Sequence, residues 1–188
     1  MDRREYLKLV GAASVGVVLP GCTPTDVEKA RTVTARTGPD GTFADYDLQF
    51  FGPSEFQVVR LLADVIIPAD DRSGSASEAR VPEFIDFTAW DRERYRVPLR
   101  GGIAWLNQAC RDSFGADFAS CTDEQRLEMA ERLAWPKVAA DEDAPGVAFF
   151  SLMRDMTASG FYSSRMGMDD LGYMGNVAIP EWAGCAES

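Results

Sequence analysis

Residues 53–66, PSEFQVVRLLADVI, decide the fold class of this chain. Ser54 and Gln57 have the spacing of a capping box, in which two side chains satisfy backbone N–H groups of the first helical turn. The apolar residues that follow recur at the three- and four-residue intervals of one helix face: Val58, Val59, Leu61, Leu62, Val65 and Ile66. Pro68 restricts the residue before it to extended conformations. The stretch therefore predicts an amphipathic α-helix, with Ser54 as N-cap, that ends before Pro68.

Similar signals predict two more helices in the middle of the chain. Pro82 can occupy a first helical turn, where no backbone hydrogen bond is lost, and the apolar positions that follow it mark an inner face. Residues 99–114 repeat the helical spacing, and Gly115 provides a stop.

The second half of the chain predicts another pair of helices. Thr122 and Gln125 form a second capping box, and the helix that follows ends at Pro136. The other helix covers residues 145–159, with Gly160 as its C-cap. Since no stretch alternates in the manner of a strand with a hairpin turn, the predicted fold is mostly α, a single domain of about five helices joined by long loops.

The C-terminal segment, residues 160–188, is rich in aromatic residues and glycine and is predicted to be irregular. Its apolar side chains follow no period, so they need a surface to lie on. Two interpretations remain open: the segment wraps its own domain, or it packs against a partner. The aromatic residues expected at a partner interface are Phe161, Tyr162, Tyr173 and Trp182.

The N-terminus, MDRREYLKLVGAASVG, carries the pair Arg3 and Arg4 ahead of an apolar run and is typical of a twin-arginine export signal. The run from Leu9 to Leu19 is too short to span a bilayer. It ends in LPGC, which makes Cys22 a candidate for lipidation; ordinary cleavage nearby is the alternative. We expect a signal in residues 1–22, a flexible linker in 23–45 and the helical domain in 46–188, in a periplasmic protein exported by the twin-arginine (Tat) route.

The charge of the chain excludes some partners. With 19 basic and 30 acidic residues, the formal net charge is −11. A surface of this sign repels phosphate backbones, so nucleic-acid binding is not expected.

Four cysteines bear on the covalent structure: Cys22, Cys110, Cys121 and Cys185. If Cys22 belongs to the leader or to a lipid anchor, three remain, and one of them lacks an intrachain partner. Cys110 and Cys121 are close in sequence and form one candidate disulfide, which leaves Cys185 to bond another chain. The alternatives are that all three are free or that Cys185 pairs within the chain, because connectivity cannot be deduced from sequence.

The sequence contains few of the residues and motifs that catalysis or cofactor binding usually requires. It contains no histidine, which removes His-dependent nucleophile activation and His metal ligands. No CxxC, GxGxxG after a strand, or Walker motif occurs, so no catalytic, cofactor-binding or metal-binding residue is predicted. The carboxylates of Asp64, Asp70 and Asp71 could in principle serve a glycosidase or hold a hard cation, but a solvated helix end and an acidic loop explain them without special assumptions.

Two segments, LLADVIIPADDRSGSASEARVPEFIDF (61–87) and FFSLMRDMTASGFYSSRMGMDDLGYMGN (149–176), together with the leader, resemble the gluconate 2-dehydrogenase subunit 3 family. The resemblance implies a non-catalytic small subunit in a complex of three kinds of chain. The partners would be a large flavoprotein that holds FAD and a multihaem cytochrome c that holds haem c, with no cofactor in this chain. The small subunit would carry the signal read by the Tat translocase and support export and maturation of the flavoprotein.

Two other interpretations are kept. One is a stand-alone periplasmic lipoprotein that binds a small ligand, and the other is a free-standing exported enzyme that uses carboxylates. A stable isolated domain would favour the lipoprotein, whereas activity or bound metal in the isolated chain would favour the enzyme.

Overall fold

Six α-helices and three short 3₁₀ helices make up the part of the chain that the computed structural model describes, which is Thr25, residues 46–137 and residues 139–175. The α-helices are α1 (Pro53–Ile66), α2 (Val81–Asp91), α3 (Arg96–Phe114), α4 (Asp123–Ala134), α5 (Ala144–Ser163) and α6 (Arg165–Asp170). The 3₁₀ helices are Glu93–Tyr95, Phe118–Ser120 and Asp141–Asp143. The mostly α fold predicted from the sequence is confirmed, and the described residues from Asp47 onward belong to one compact unit.

Helix α5 is the centre of the bundle and contacts α1, α2, α3, α4 and α6. Its buried residues recur at the three- and four-residue spacing of a continuous apolar stripe: Gly146, Phe149, Phe150, Met153, Met156, Thr157, Gly160 and Phe161. The other helices lay their own apolar faces against this stripe, and one hydrophobic core results.

Glycines allow α3 and α5 to approach closely. A β-carbon on Gly102 of α3 would lie 2.0 Å from the ring of Phe149, and one on Gly146 of α5 would lie 2.0 Å from the ring of Trp105. Each helix therefore places an aromatic ring over a glycine of the other, an arrangement in which any larger residue would force the helices apart.

The predicted helix starts are partly right. Thr122 and Gln125 form the predicted capping box of α4: the Thr122 N–H donates to Gln125 Oε1 (2.9 Å) and the Gln125 N–H donates to Thr122 Oγ1 (3.3 Å). Ser54 is not the N-cap of α1. That position belongs to Gly52, whose N–H donates to Glu55 Oε2 at 2.9 Å, so the helix begins at Pro53.

The end of α5 differs from the prediction. Gly160 does not cap the helix, which continues to Ser163, and a further helix, α6, covers 165–170 within the segment predicted to be irregular. A β-carbon on Gly160 would lie 2.8 Å from Phe84 Cδ1 and 3.2 Å from Val81 Cγ1. The glycine is required by the packing of α2 on α5 and not by a helix end. Similarly, α3 begins at Arg96 and not at Leu99, although it ends before Gly115 as predicted.

A buried carboxylate fixes the entry into the bundle. Asp86 of α2 is fully buried and accepts hydrogen bonds from the N–H groups of Gln49 (2.7 Å), Phe50 (3.1 Å) and Phe51 (2.7 Å). These bonds hold the segment before α1 against α2, and they satisfy a charge that would otherwise be costly to bury.

Several sequence predictions fall outside the described residues. They concern the signal residues Arg3 and Arg4, the lipidation candidate Cys22, almost all of the linker 23–45, Trp182 and Cys185. Within the described part of the chain, every helix is either too short or too polar to cross a bilayer.

Candidate partner-binding surface

The chain turns back on itself directly after α5. Ser164 ends α5 and caps α6: its Oγ donates to the Phe161 carbonyl (2.6 Å) and accepts from the Gly167 N–H (3.1 Å). A β-carbon on Gly167 would lie 2.1 Å from the Phe161 carbonyl oxygen. Helix α6 can therefore pack on the end of α5 only with glycine at this position.

A Schellman motif terminates α6. The Tyr173 N–H donates to the Met168 carbonyl (2.9 Å) and the Gly172 N–H donates to the Asp169 carbonyl (3.0 Å). Gly172 has a φ of 64°, the left-handed conformation that this motif requires and that glycine adopts without a steric cost. The motif brings the backbone of Tyr173 next to that of Met168, the pair of positions at which such motifs frequently carry apolar residues.

Large apolar side chains are exposed around this turn. Within 13 residues, five of them face solvent: Tyr162, Met168, Leu171, Tyr173 and Met174. We call these five residues the C-terminal surface. Met174 is 93% exposed and Leu171 is 62% exposed, so the described residues offer them little cover. Aromatic residues and methionine are enriched at protein interfaces, where they provide large contact area.

The aromatic residues predicted for a partner interface differ in how far they are buried. Phe161 is 1% exposed and lies in the core, so its expected role in a partner surface is wrong: it packs within its own domain. Its neighbour Tyr162 stacks edge-on against it, with ring centroids 5.3 Å apart, and is half exposed, as is Tyr173. Trp182 lies outside the described residues.

The loop before α2 is fastened to α6. Arg72 Nη2 lies 2.9 Å from the Asp170 carbonyl oxygen and 2.9 Å from Asp170 Oδ1. Between the loop and the helix is an open cleft of about 590 Å³, lined in part by Gly74, Arg80 and Met166. Arg72 thus joins two segments that are 98 residues apart in sequence, next to the C-terminal surface.

Two acidic residues, Asp64 and Asp70, stabilise the loop before α2 through hydrogen bonds. Asp70 Oδ1 accepts from the N–H groups of Arg72 (2.8 Å) and Ser73 (2.9 Å), and these bonds, Ser73 first, hold the pKa of Asp70 below its ordinary value. Asp64 accepts from both the N–H (2.8 Å) and the hydroxyl (2.7 Å) of Ser77. No cluster of three or more metal-ligating side chains is found in the described ranges. The hydrogen bonds of Asp64 and Asp70 are therefore explained by a structural role, in which both carboxylates stabilise the loop before α2.

A second depression, of about 650 Å³, lies beside the start of α3. Its two arginines are already engaged. Arg96 donates to the carbonyls of Ala89 (3.1 Å) and Trp90 (2.6 Å) at the end of α2. Arg100 donates to the Phe50 carbonyl (2.9 Å) and pairs with Glu55 at 3.3 Å. Both guanidinium groups thus hold the bundle together.

The cysteines that the structure describes lie next to each other. Cys110 of α3 and Cys121, just after the 3₁₀ helix Phe118–Ser120, are both buried and both unbonded thiols. They are neighbours in the core, where burial first, and then the adjacent Cys121, raises the pKa of the Cys110 thiol. The disulfide between Cys110 and Cys121 stays a prediction.

Local signals for the C-terminal surface are present in the sequence. Gly172 after a short helical run is the usual position of a Schellman glycine, and Ser164 is a good N-cap residue. The apolar spacing of α5 also continues through Gly160 to Phe161. In contrast, the ion pair between Arg72 and Asp170 has no local signal.

Comparison with protein families gives one result. A family model described as gluconate 2-dehydrogenase subunit 3 matches residues 53–180, which include all six helices. Neither a curated protein nor a solved structure matches the chain.

Proposed function

The chain belongs to the gluconate 2-dehydrogenase subunit 3 family, and on this premise we propose that it is the non-catalytic small subunit of a flavin-dependent sugar dehydrogenase complex. In the proposed complex a large flavoprotein subunit holds FAD and oxidises gluconate or a related sugar. A multihaem cytochrome c subunit holds haem c and receives the electrons. This chain binds the flavoprotein and supports its export and maturation.

The observation that carries this function is the C-terminal surface. Its five exposed apolar side chains lie on and beside the short helix α6: Met168 is on α6, Tyr162 is near the end of α5, and the other three follow α6. Both ends of α6 are capped, by Ser164 and by the motif at Gly172. A rigid apolar patch loses little conformational entropy when it binds, so more of the burial energy contributes to affinity. Side chains of this type are the usual anchors of protein interfaces.

The carboxylates of the described residues support a structural role for the chain. Asp86 accepts three backbone hydrogen bonds, Asp143 is held by Arg132, and Asp64 and Asp70 each accept hydrogen bonds within the loop before α2. A general acid or base needs a carboxylate that faces substrate, whereas these four groups are engaged by backbone N–H groups, by the Ser77 hydroxyl or by an arginine.

The export role rests on the leader. Arg3 and Arg4 provide a signal for the Tat translocase, which moves folded proteins. In the proposed route the flavoprotein folds around FAD in the cytoplasm, binds this chain and crosses the membrane with it. Lipidation of Cys22 would then tether the pair to the membrane through the linker 23–45.

The experiment that tests this function is recovery of the tagged full chain from membranes of its native host. We expect a larger chain to be recovered with it, together with the absorbance of flavin and of haem c. A preparation from the untagged host is the control for background binding. On a non-reducing gel, a band that shifts with reductant would additionally identify a bond from Cys185 to the partner.

A colourless protein recovered alone would contradict the proposed complex. If that protein were also monodisperse, the stand-alone ligand-binding lipoprotein would replace it. Activity or bound metal in the isolated chain would instead support the carboxylate enzyme.

A further inference from the structure

We propose that Cys110 and Cys121 are a redox pair that closes an intrachain disulfide across the loop between α3 and α4. Both thiols are buried: Cys110 lies on α3, and Cys121 lies in the loop after it, which is hydrogen-bonded to α3 and α4.

Helix α3 reaches the loop through Asn107, which lies on the same face as Cys110, one turn earlier. Its Oδ1 accepts the Phe118 N–H at 3.1 Å, and this bond holds the 3₁₀ helix Phe118–Ser120 against α3. The Cys121 N–H in turn donates to the carbonyls of Asp117 (3.1 Å) and Phe118 (3.3 Å). Backbone hydrogen bonds thus place Cys121 one tight turn beyond the anchored Phe118.

Two arginines fasten the loop from outside. Arg126 of α4 donates to the Cys121 carbonyl, and Arg111 of α3 pairs with Asp117. The two ends of the loop are therefore joined to the helices on either side of it. The Cys121 Sγ itself has only a weak acceptor, the Ala116 carbonyl at 3.8 Å.

Both thiols are buried, but they are not equally accessible. Burial, followed by the neighbouring Cys121, raises the pKa of Cys110 to about 12. Cys110 is therefore a thiol and not a thiolate at neutral pH, which makes it a poor first nucleophile. Cys121 is 5% exposed, whereas Cys110 is completely enclosed, so an oxidant reaches Cys121 first.

The oxidation is a thiol–disulfide exchange with a disulfide-containing oxidant. The Cys121 thiolate attacks one sulfur of the oxidant, whose S–S bond breaks and releases the other sulfur as a thiolate. Cys110 then attacks the Cys121 sulfur and passes its proton to the departing second sulfur of the oxidant, which leaves as a thiol while the new S–S bond forms. The two cysteines lose two electrons and two protons, and the oxidant is reduced to two thiols.

Tryptic mapping provides a direct test because Arg111 lies between the two cysteines. Trypsin separates Cys110, in peptide 101–111, from Cys121, in peptide 112–126. The purified, reduced full chain is incubated with glutathione disulfide, its remaining thiols are alkylated under denaturing conditions, and it is digested without reductant. We expect the two peptides to appear joined, with a mass two hydrogens below their sum, and to separate on reduction.

Three results would overturn the redox pair. They are alkyl label on both peptides, glutathione retained on Cys121 without closure to Cys110, and a link from either peptide to 166–188, which contains Cys185. The variant Cys185→Ser is the matched control, since the joined peptides should form in it unchanged.

Thermal melting gives a second readout that does not depend on digestion. Closing this loop restricts the unfolded chain, so reductant should lower the melting temperature of the oxidised protein by roughly 5–10 °C. Cys121→Ala should melt at the same temperature with and without reductant. If the melting temperature of the oxidised wild type did not change with reductant, the proposed disulfide would be contradicted.

Discussion

Arg132 of α4 holds Asp143 through two hydrogen bonds, from Nε to Oδ2 at 2.7 Å and from Nη2 to Oδ1 at 2.6 Å. Asp143 is 3% exposed and is the last residue of the 3₁₀ helix Asp141–Asp143 that leads into α5. The hydrogen bonds to Asp143 are the main reason that the pKa of Arg132 is raised. This two-point contact, whose planar geometry only arginine can offer, fixes where the central helix begins.

Removing one partner of this pair should be costly. Asp143→Ala leaves the arginine without its acceptor, although Arg132 can rehydrate because its side chain is 40% exposed. We therefore expect a loss of about 2–3 kcal/mol in the free energy of unfolding, below the range for fully buried pairs. Urea denaturation measures the loss. The control is Asp155→Ala, which removes an exposed pair with Arg154 (3.4 Å) and should change stability by less than about 0.5 kcal/mol. Equal effects of the two variants would contradict the assignment.

Two adjacent glycines in α3 should respond to alanine in opposite directions. A β-carbon on Gly102 would meet the Phe149 ring, whereas one on Gly101 would have nothing within 4 Å. Gly101→Ala should stabilise the protein by about 0.5–1 kcal/mol through helix propensity. Gly102→Ala should destabilise it by about 1–3 kcal/mol through overpacking. Thermal melting of the two variants beside the wild type checks both signs, and a stabilising Gly102→Ala would mean that α3 and α5 are not in close contact.

These glycines also indicate how far the sequence could predict the fold. The capping box at Thr122 and Gln125 was predictable because both partners lie within one turn of helix. Gly160 was misassigned as a helix end, since its requirement for a small residue comes from Phe84, which lies on another helix. Composition and spacing therefore predict α1 to α5 but not α6, which lies in the segment predicted to be irregular, and long-range contacts decide which glycines end a helix.

The same limit applies to the C-terminal surface. Phe161 and Tyr162 are consecutive aromatic residues, and only the orientation of α5 decides that the first is buried and the second exposed. The anchor from Arg72 to Asp170 joins distant segments and leaves no local pattern. In contrast, the turn at Gly172 was readable, because its glycine follows a helical run at the usual position.

The loop before α2 should change with pH through Asp70. Its carboxylate accepts backbone hydrogen bonds, which depress its pKa in the folded protein. The loop contacts are thus complete above the pKa of an unfolded aspartate, which is about 4, and are lost as the pH falls through the lower folded pKa. We expect the amide proton signals of Arg72 and Ser73 to titrate together in NMR spectra with this depressed pKa.

Asp70→Asn is the matched control for that titration. Its side-chain oxygen can still accept both hydrogen bonds, so the loop should persist while the acid transition of these two amides disappears. Titration of the amides at the same pH in this variant would assign the transition to another group.

A charge on the C-terminal surface should weaken the proposed complex without unfolding the chain. Met174→Asp puts a carboxylate on a side chain that is almost fully exposed, so the melting temperature of the isolated chain should stay within about 2 °C of the wild type. If the surface binds the flavoprotein, burying that charge should reduce affinity at least about tenfold. Flavin recovered per small subunit measures the effect.

The control for this variant is Val97→Asp, which adds the same charge at another exposed apolar position, in the first turn of α3. Flavin recovery should be unchanged. If Val97→Asp lost flavin and Met174→Asp did not, the flavoprotein would bind at the start of α3, beside the depression near Phe50 and Trp90.

The proposed export role makes the flavoprotein dependent on two residues of this chain. Replacing Arg3 and Arg4 by lysine keeps the positive charge but removes the planar guanidinium groups, which lysine cannot imitate. We expect both the small subunit and the flavoprotein to remain in the cytoplasm, measured by fractionation and by flavin content of the periplasmic and membrane fractions. Arg31→Lys, the same exchange within the linker, should leave export intact. A flavoprotein that still reaches the periplasm in the Arg3→Lys, Arg4→Lys variant would show that it carries its own signal, and the role of this chain would then be limited to binding it after export.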